Sequence, residues 1–374
     1  MAHHWESGFV VREAAWHGLA TVLKDAPTIA EGIKQAGLEW DVVQCPIEAI
    51  IAGDNVGRLS SPQRPGDPKE YHVPAPGWIA NVRSTDKSIL GIVSEKYKPI
   101  QNRDAFDFFQ KFLDDKVCTL ECAGSVKNGR YVWVLAKISD GEAEVSPGDK
   151  IFSYLKLSTA HDGSHAGTIA FTPIRVVCWN TLSSALAQAD KSVAAGEGRA
   201  MHVLHVGDVK ASLAAAQAEI DIAHRRIGKI VQQAKAFKKV EMDKAFFYRF
   251  LEEIYGPERA EMRKKLQILY PVVNDEKRPQ AERDVAKEEA MVIEEKLARP
   301  VRRSGIIHSL VRGFETGPGA EMAGQTLWGA INAVTHYEEH QRVGSNEERL
   351  YASWFGGNTE KVRERAFEVA ASLV

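Results

Sequence analysis

The sequence predicts an α+β fold: an antiparallel β-meander running into a helix, followed by a mostly helical C-terminal region. Three observations carry this. Asn128-Gly129 sits between two apolar runs, and Asn-Gly is the strongest short hairpin signal because both residues take positive φ cheaply. Tight-turn chemistry recurs at Pro147-Gly148-Asp149 and at His161-Asp162-Gly163-Ser164, so extended runs follow one another closely. From Asp208 onward the apolar spacing becomes helical.

Residues 1–70 read as an irregular N-terminal arm with small elements. Thr28, with Glu31 three residues on, makes a capping box for a helix from Ile29 to near Gly37. Residues 53–70 are rich in Gly, Pro, Asp and Arg and predict an exposed loop.

The core spans 71–205. Trp78 to Arg83 and Ile89 to Val93 read as strands joined by a polar turn at Asp86 and Lys87. Asn102 or Asp104 caps a helix through about Asp114, with Phe106, Phe109 and Leu113 on its apolar face. Four strands follow: Leu120 to Val126, Tyr131 to Ile138, Lys150 to Thr159, and Ala166 to Cys178. Asn180 or Thr181 then caps a helix from Leu182 to about Asp190. Residues 190–206 are small and polar, a loop.

Residues 206–374 are helical. Val209, Leu213, Ala216, Ile220, Ala223, Ile227, Ile230, Ala234 and Phe237 form a heptad-type seam. It serves either a long helix packed on its own domain or self-association. Further helices are predicted over 242–255, 258–269, 280–298 and 325–341, and from Thr359.

The formal net charge of −2 gives no global field for steering onto nucleic acid, so any such surface must be a local patch. None of the four cysteines forms a CxxC pair. Cys118 and Cys122 are expected on one strand face about 13 Å apart, too far for a disulfide or a shared zinc. Buried reduced thiols in a cytosolic protein are the expectation. No run approaches the roughly 20 apolar residues a membrane helix needs, and the N-terminus lacks a signal peptide's pattern. The cytoplasm is therefore expected, with no membrane partner.

There is no P-loop, GxSxG, HExxH or dinucleotide fingerprint. The His161-Asp162-Gly163-Ser164-His165 run is either a bare turn, a ligand-contacting loop tip or an acid–base or metal cluster. Cys178 near a helix N-terminus reads as a small buried thiol before a nucleophile. Arg175, in an apolar strand, needs an internal carboxylate or a phosphate. Trp16-His17-Gly18-Leu19 reads as an anchor for the N-terminal arm. Lys127, Arg130, Lys137, Lys150 and Lys156 interleave with Tyr131, Trp133, Phe152 and Tyr154. That is a solvated sheet face or a basic groove with stacking aromatics, as single strands require. Arg225, Arg226, Lys229, Lys235, Lys238 and Lys239 make a second basic patch, or a solvated helix face.

Four segments together resemble a known family: Trp16 to Leu19, Tyr97 to Asn102, His161 to Ser164 through Arg175 to Leu182, and Leu327 to Tyr337. Their order and spacing are similar to the phage- and plasmid-related family of unknown function found in prophages and conjugative plasmids. Trp179 departs from that pattern, where a polar residue is usual. The resemblance implies a mobile-element protein in a bacterial host, encoded near single-strand-binding and recombination genes. The order of a β-meander and then a helix also resembles the core of single-strand annealing proteins of the RecT and Red-beta kind, an analogy of fold alone.

The expectation is therefore a non-catalytic single-stranded DNA-binding or annealing protein acting in recombination or replication. It would need no cofactor or metal and would assemble as a ring or filament, with host or phage recombination proteins as further partners. The expected nucleic-acid contacts are Lys127, Arg130, Tyr154, Lys156, His161 and Arg175. A nucleic-acid- or nucleotide-processing enzyme with a His161/Asp162 site is the alternative, and a host-interaction protein a third.

Overall fold

Turn chemistry builds the centre of the molecule. In the computed structural model, Lys127, Asn128 and Gly129 have φ of 52°, 57° and 77°, which folds the chain back between two strands. The structure describes residues 5–11, 20–52, 70–175, 180–181, 201–217, 221–298, 304–355 and 358–374. Trp16 to Leu19, Cys178, Trp179, the expected helix from Leu182 and most of the 53–70 and 190–206 loops lie outside them.

The N-terminal strands are β1 (Trp5–Val11) and β2 (Thr21–Leu23), followed by helix α1 (Ile29–Gln35). Thr28 and Glu31 form the expected capping box. The strands β3 (Val42–Ala52), β4 (Glu70–Arg83) and β5 (Ile89–Ser94) make a small antiparallel sheet in that order. Next come two short helices, α2 (Asn102–Asp107) and α3 (Gln110–Asp114), where one was expected. Gln101 holds the N-cap position of α2 without a side-chain capping bond. Asn102 is instead drawn inside, because its amide donates to the Leu38 and Trp40 carbonyls.

The meander is β6 (Cys118–Val126), β7 (Tyr131–Ser146), β8 (Asp149–Ala160) and β9 (Gly167–Arg175), all antiparallel neighbours. The sequence reading holds here, and it extends at both ends. The N-terminal segment is no outlying arm: β1 pairs with β6, and Phe9, Val10 and Val11 are buried. Asn180 and Thr181 form β10 (Asn180–Thr181), pairing with Arg175 and Ile174 of β9, and the helix expected after them lies outside the described residues. The short β11 (Met201–Val203) also pairs with β9.

One irregularity corrects the cysteine reading. The β6–β7 register shifts between Leu120 and Cys122, so Glu121 is an extra residue on β6. A bulge of this kind flips the alternation of faces beyond it. Cys118 therefore packs with Leu120 in one core and Cys122 with Val126 in another, across the sheet. Burial pushes both thiols up to about 12, which keeps them protonated.

The helical region comprises α4 (Val209–Gln217), α5 (Asp221–Lys238), α6 (Lys244–Tyr255), α7 (Pro257–Asn274), α8 (Gln280–Ala298), α9 (Ser304–Thr316), α10 (Ala320–Ala323), α11 (Leu327–His336), α12 (Asn346–Trp354) and α13 (Asn358–Ala371). The expected seam is helical over 209–217 and 221–238, and residues 218–220 between them lie outside the described residues. Val209 and Leu213 pack on the sheet with α1 and α2, while Ile230, Ala234 and Phe237 enter a second core. Those five are used internally, not for self-association; the side chains of 215–229 lie outside the described residues. Residues 327–335 of α11 are all buried, so this helix is enclosed on every side and forms the axis of the second core. No helix among the described residues is long and apolar enough to cross a membrane.

The small sheet docks on the meander through its polar face. The Gln44 amide donates to Asn81 Oδ1 (3.2 Å), and the Asn81 amide donates to the His161 carbonyl (2.6 Å). Its other face leaves Val43, Trp78, Ile89 and Ile92 exposed. Gly91 permits the docking, since a Cβ there would strike the backbone of Asp162. Gly91→Ala should therefore cost about 1–3 kcal/mol by overpacking. Urea unfolding checks this; an unchanged midpoint would mean that the two sheets are not held at Gly91.

Candidate functional site

Three side-chain clusters stand out, and the first lies at the turn end of the meander. The β6–β7 turn, the β8–β9 turn and α12 meet there. Lys127 Nζ lies 3.4 Å from the centre of the Tyr351 ring and 5.4 Å from that of Tyr131. The backbone N–H of Lys127 donates to Glu347 (2.6 Å), which fixes the turn against α12. The Tyr131 hydroxyl donates to Asp162 Oδ2 (2.8 Å) and lies 2.9 Å from Ser164 Oγ. Ser164 Oγ is 2.7 Å from His165 Nδ1 and donates to Asp162 Oδ1. Burial is the main cause raising the Tyr131 pKa, so its phenol stays protonated and donating. Arg130 is exposed beside this group.

His161 faces the other way. It is fully buried, its N–H donates to the Arg130 carbonyl (2.7 Å), and its Nε2 lies 3.1 Å from Asn102 Oδ1. The Asn102 amide already serves two carbonyls, so its oxygen must accept and Nε2 must carry the hydrogen. Nδ1 is then a bare acceptor, and it has no partner among the described residues. Burial, with His205 adding to it, pulls the imidazole pKa down to about 3, so the ring is neutral. Successive residues of the turn thus send His161 inward and Asp162 outward, and the expected His161/Asp162 pair does not form.

The second cluster explains Arg175. Its guanidinium grips Asp149 through Nε–Oδ1 (2.5 Å) and Nη2–Oδ2 (2.9 Å) and donates to the Gly319 carbonyl (3.0 Å). Trp328 Nε1 donates to the same Asp149 oxygen (2.9 Å). Both charged residues are wholly buried. Of the two partners weighed for Arg175, the internal carboxylate is the one present.

The third cluster follows α11, where the helix widens into a π-turn (Tyr337–Gln341). Glu339 pairs with Arg363 and accepts from Ser353 Oγ (3.0 Å). Glu338 accepts from Tyr255 (2.9 Å) and lies 3.6 Å from Arg342. π-turns frequently mark functional sites, but the Tyr255, Ser353 and Arg363 contacts here tie the turn after α11 to α6, α12 and α13. This cluster holds helices together.

Only two of the six expected nucleic-acid contacts, Lys127 and Arg130, lie at the turn end with solvent access. Tyr154 and Arg175 are 1% and 0% exposed and cannot reach a strand. Lys156 does share a face with Phe152 and Tyr154, but α12 and Phe355 cover it. Its amine donates to the Trp354 carbonyl (2.7 Å), and burial lowers its pKa to about 8. Tyr351, which the sequence reading missed, is the aromatic at the turn. It sits in a helix that polar composition concealed, although Ser345 and Glu348 form a legible capping box at its start.

These elements define an α+β protein whose meander is covered on both faces and reaches solvent at its turn end. Residues 89–366 match the family model described as a domain of unknown function, DUF932, and the chain belongs to that family. No curated protein and no solved structure matches it.

Two measurements test the buried groups. Asp149→Ala leaves Arg175 charged and unpaired in the interior and should cost about 3–5 kcal/mol; a loss under about 1 kcal/mol in denaturant unfolding would show the pair is dispensable. Below pH 6.5 the unfolded chain takes up a proton at His161 that the folded chain refuses until about pH 3. Stability should therefore fall as pH drops through that window, by up to about 1.4 kcal/mol per unit for this residue. Unfolding curves at about pH 7 and pH 5 should show a smaller difference for His161→Asn than for the parent.

Proposed function

We propose that this chain is a non-catalytic single-stranded DNA-binding protein of a phage or plasmid, acting in recombination or replication by holding or annealing strands. The observation that supports it best is the cation–aromatic group at the turn end: Lys127 over Tyr351, with Arg130 exposed beside them. Strand binding of this kind combines phosphate-facing cations with aromatic faces on which bases stack, and it needs no acid–base pair. The hydroxyl network of Tyr131, Ser164 and His165 adds hydrogen-bonding groups at the same place. Of the residues named for the enzyme alternative, His161 is turned inward, neutral and bonded to Asn102, while Asp162 and His165 stay at the turn end. Tyr154, Lys156, His161 and Arg175 have no part in the proposed contact.

Fluorescence anisotropy with a labelled oligothymidine at low salt tests the reading. Binding should weaken as salt rises, through counterion release. Arg130→Glu should lower affinity about tenfold and reduce the salt slope by about one, and Tyr351→Ala should cost about 1–3 kcal/mol if a base stacks there. Absence of binding at low salt would sink the proposal. Binding indifferent to both substitutions would move it to another surface.

A further inference from the structure

Resting on the strand-binding reading of the turn end, we propose that Lys127 makes this site selective for unpaired bases. Its own ammonium occupies the face of Tyr351 until a base displaces it.

The ring is already in use before any strand arrives. Lys127 Nζ lies 3.4 Å from the centre of the Tyr351 ring. A stacked base would need that same position, at a contact distance of about 3.5 Å. Phe355 stacks parallel to Tyr351 with ring centres 5.7 Å apart, and Tyr131 meets it edge-on at 4.7 Å and 71°. Tyr131 and Phe355 are both buried, so they hold the ring in place. A base reaches the face that Lys127 covers only when the ammonium leaves it.

That departure is a motion of one side chain. The Lys127 N–H donates to Glu347 (2.6 Å), which stands one helical turn before Tyr351 on α12. The backbone of Lys127 and the Tyr351 ring are therefore tied to the same helix. What remains to move is the flexible four-carbon stem with its ammonium.

Magnitudes decide the direction of the exchange. A cation on an exposed ring is held by a factor of about two to five. A stacked base is held by a factor of about five to 150. The base therefore takes the ring, and the ammonium is released beside the strand's phosphates, where it makes one more contact. Arg130, exposed three residues further on, needs no such exchange. A duplex keeps its bases stacked within itself, and a polyanion without bases has none to offer. Either would meet Arg130 with Lys127 still on the ring. One phosphate contact is thus conditional on an unpaired base.

The salt dependence of binding tests this. Fluorescence anisotropy of the full chain compares labelled oligothymidine with an abasic sugar–phosphate oligomer of the same length. The slope of log affinity against log salt should be steeper for oligothymidine by about 0.7, the value of one phosphate contact on a single strand. Lys127→Gln should make the two slopes equal. A second measurement needs no strand. In the chain labelled with carbon-13 lysine, one ε-methylene signal should be shifted upfield by the Tyr351 ring and be missing in Lys127→Gln. Oligothymidine should return that signal to the ordinary lysine position, and the abasic oligomer should not. Equal slopes in the parent chain, or no upfield signal before a strand is added, would overturn the selectivity while leaving strand binding intact. If neither oligomer binds at low salt, the strand-binding reading falls and the selectivity falls with it.

Discussion

Arg175 and Asp149 sit wholly buried on adjacent strands, and the helical core is built on to them. Asp149 accepts from the guanidinium and from Trp328 of α11, and Arg175 donates onward to the carbonyl of Gly319. A buried pair is a poor source of net stability, because removing two charges from water offsets most of their attraction. Its geometry, however, is exacting. Three directed bonds converge on one carboxylate, so α11 can pack on the meander only where the indole reaches Asp149. The Glu338 and Glu339 cluster then carries that placement from α11 to α6, α12 and α13.

Placement of α12 decides what the meander can offer. Leu350, Trp354 and Phe355 pack with Tyr131, Trp133 and Tyr154, closing the sheet face on which basic and aromatic residues alternate. On its other face lie α1 to α4. Among the described residues the turn end is left open, and there the same helix supplies Tyr351. One element thus ties the Lys156 amine to the Trp354 carbonyl and completes the group around Lys127.

A different constraint shapes the His161 turn. Gly91 and Gly163 let the small sheet approach closely, and Asn81 and Asn102 hold the turn's backbone and ring from the inside. An imidazole in that setting works as a neutral donor. The same five-residue run therefore has an inner residue that fastens two sheets and outer residues that face solvent.

Local chemistry was legible in the sequence wherever neighbouring residues alone decide the outcome. The Asn128-Gly129 turn, the Thr28/Glu31 capping box, the four meander strands and the periodicity of most C-terminal helices depend on φ preferences, short-range hydrogen bonds and spacing. Arg175's demand for an internal carboxylate or a phosphate was also legible, since a charge in an apolar strand must be answered. Tertiary structure alone decided which carboxylate answered it, because Asp149 and Trp328 are far apart in the chain and meet only through packing. It likewise decided that a bulge at Glu121 would part Cys118 from Cys122, and that α12 would cover Tyr154 and Lys156. A strand's alternation tells which residues share a face. Which element comes to lie against that face depends on long-range contacts that no local pattern encodes.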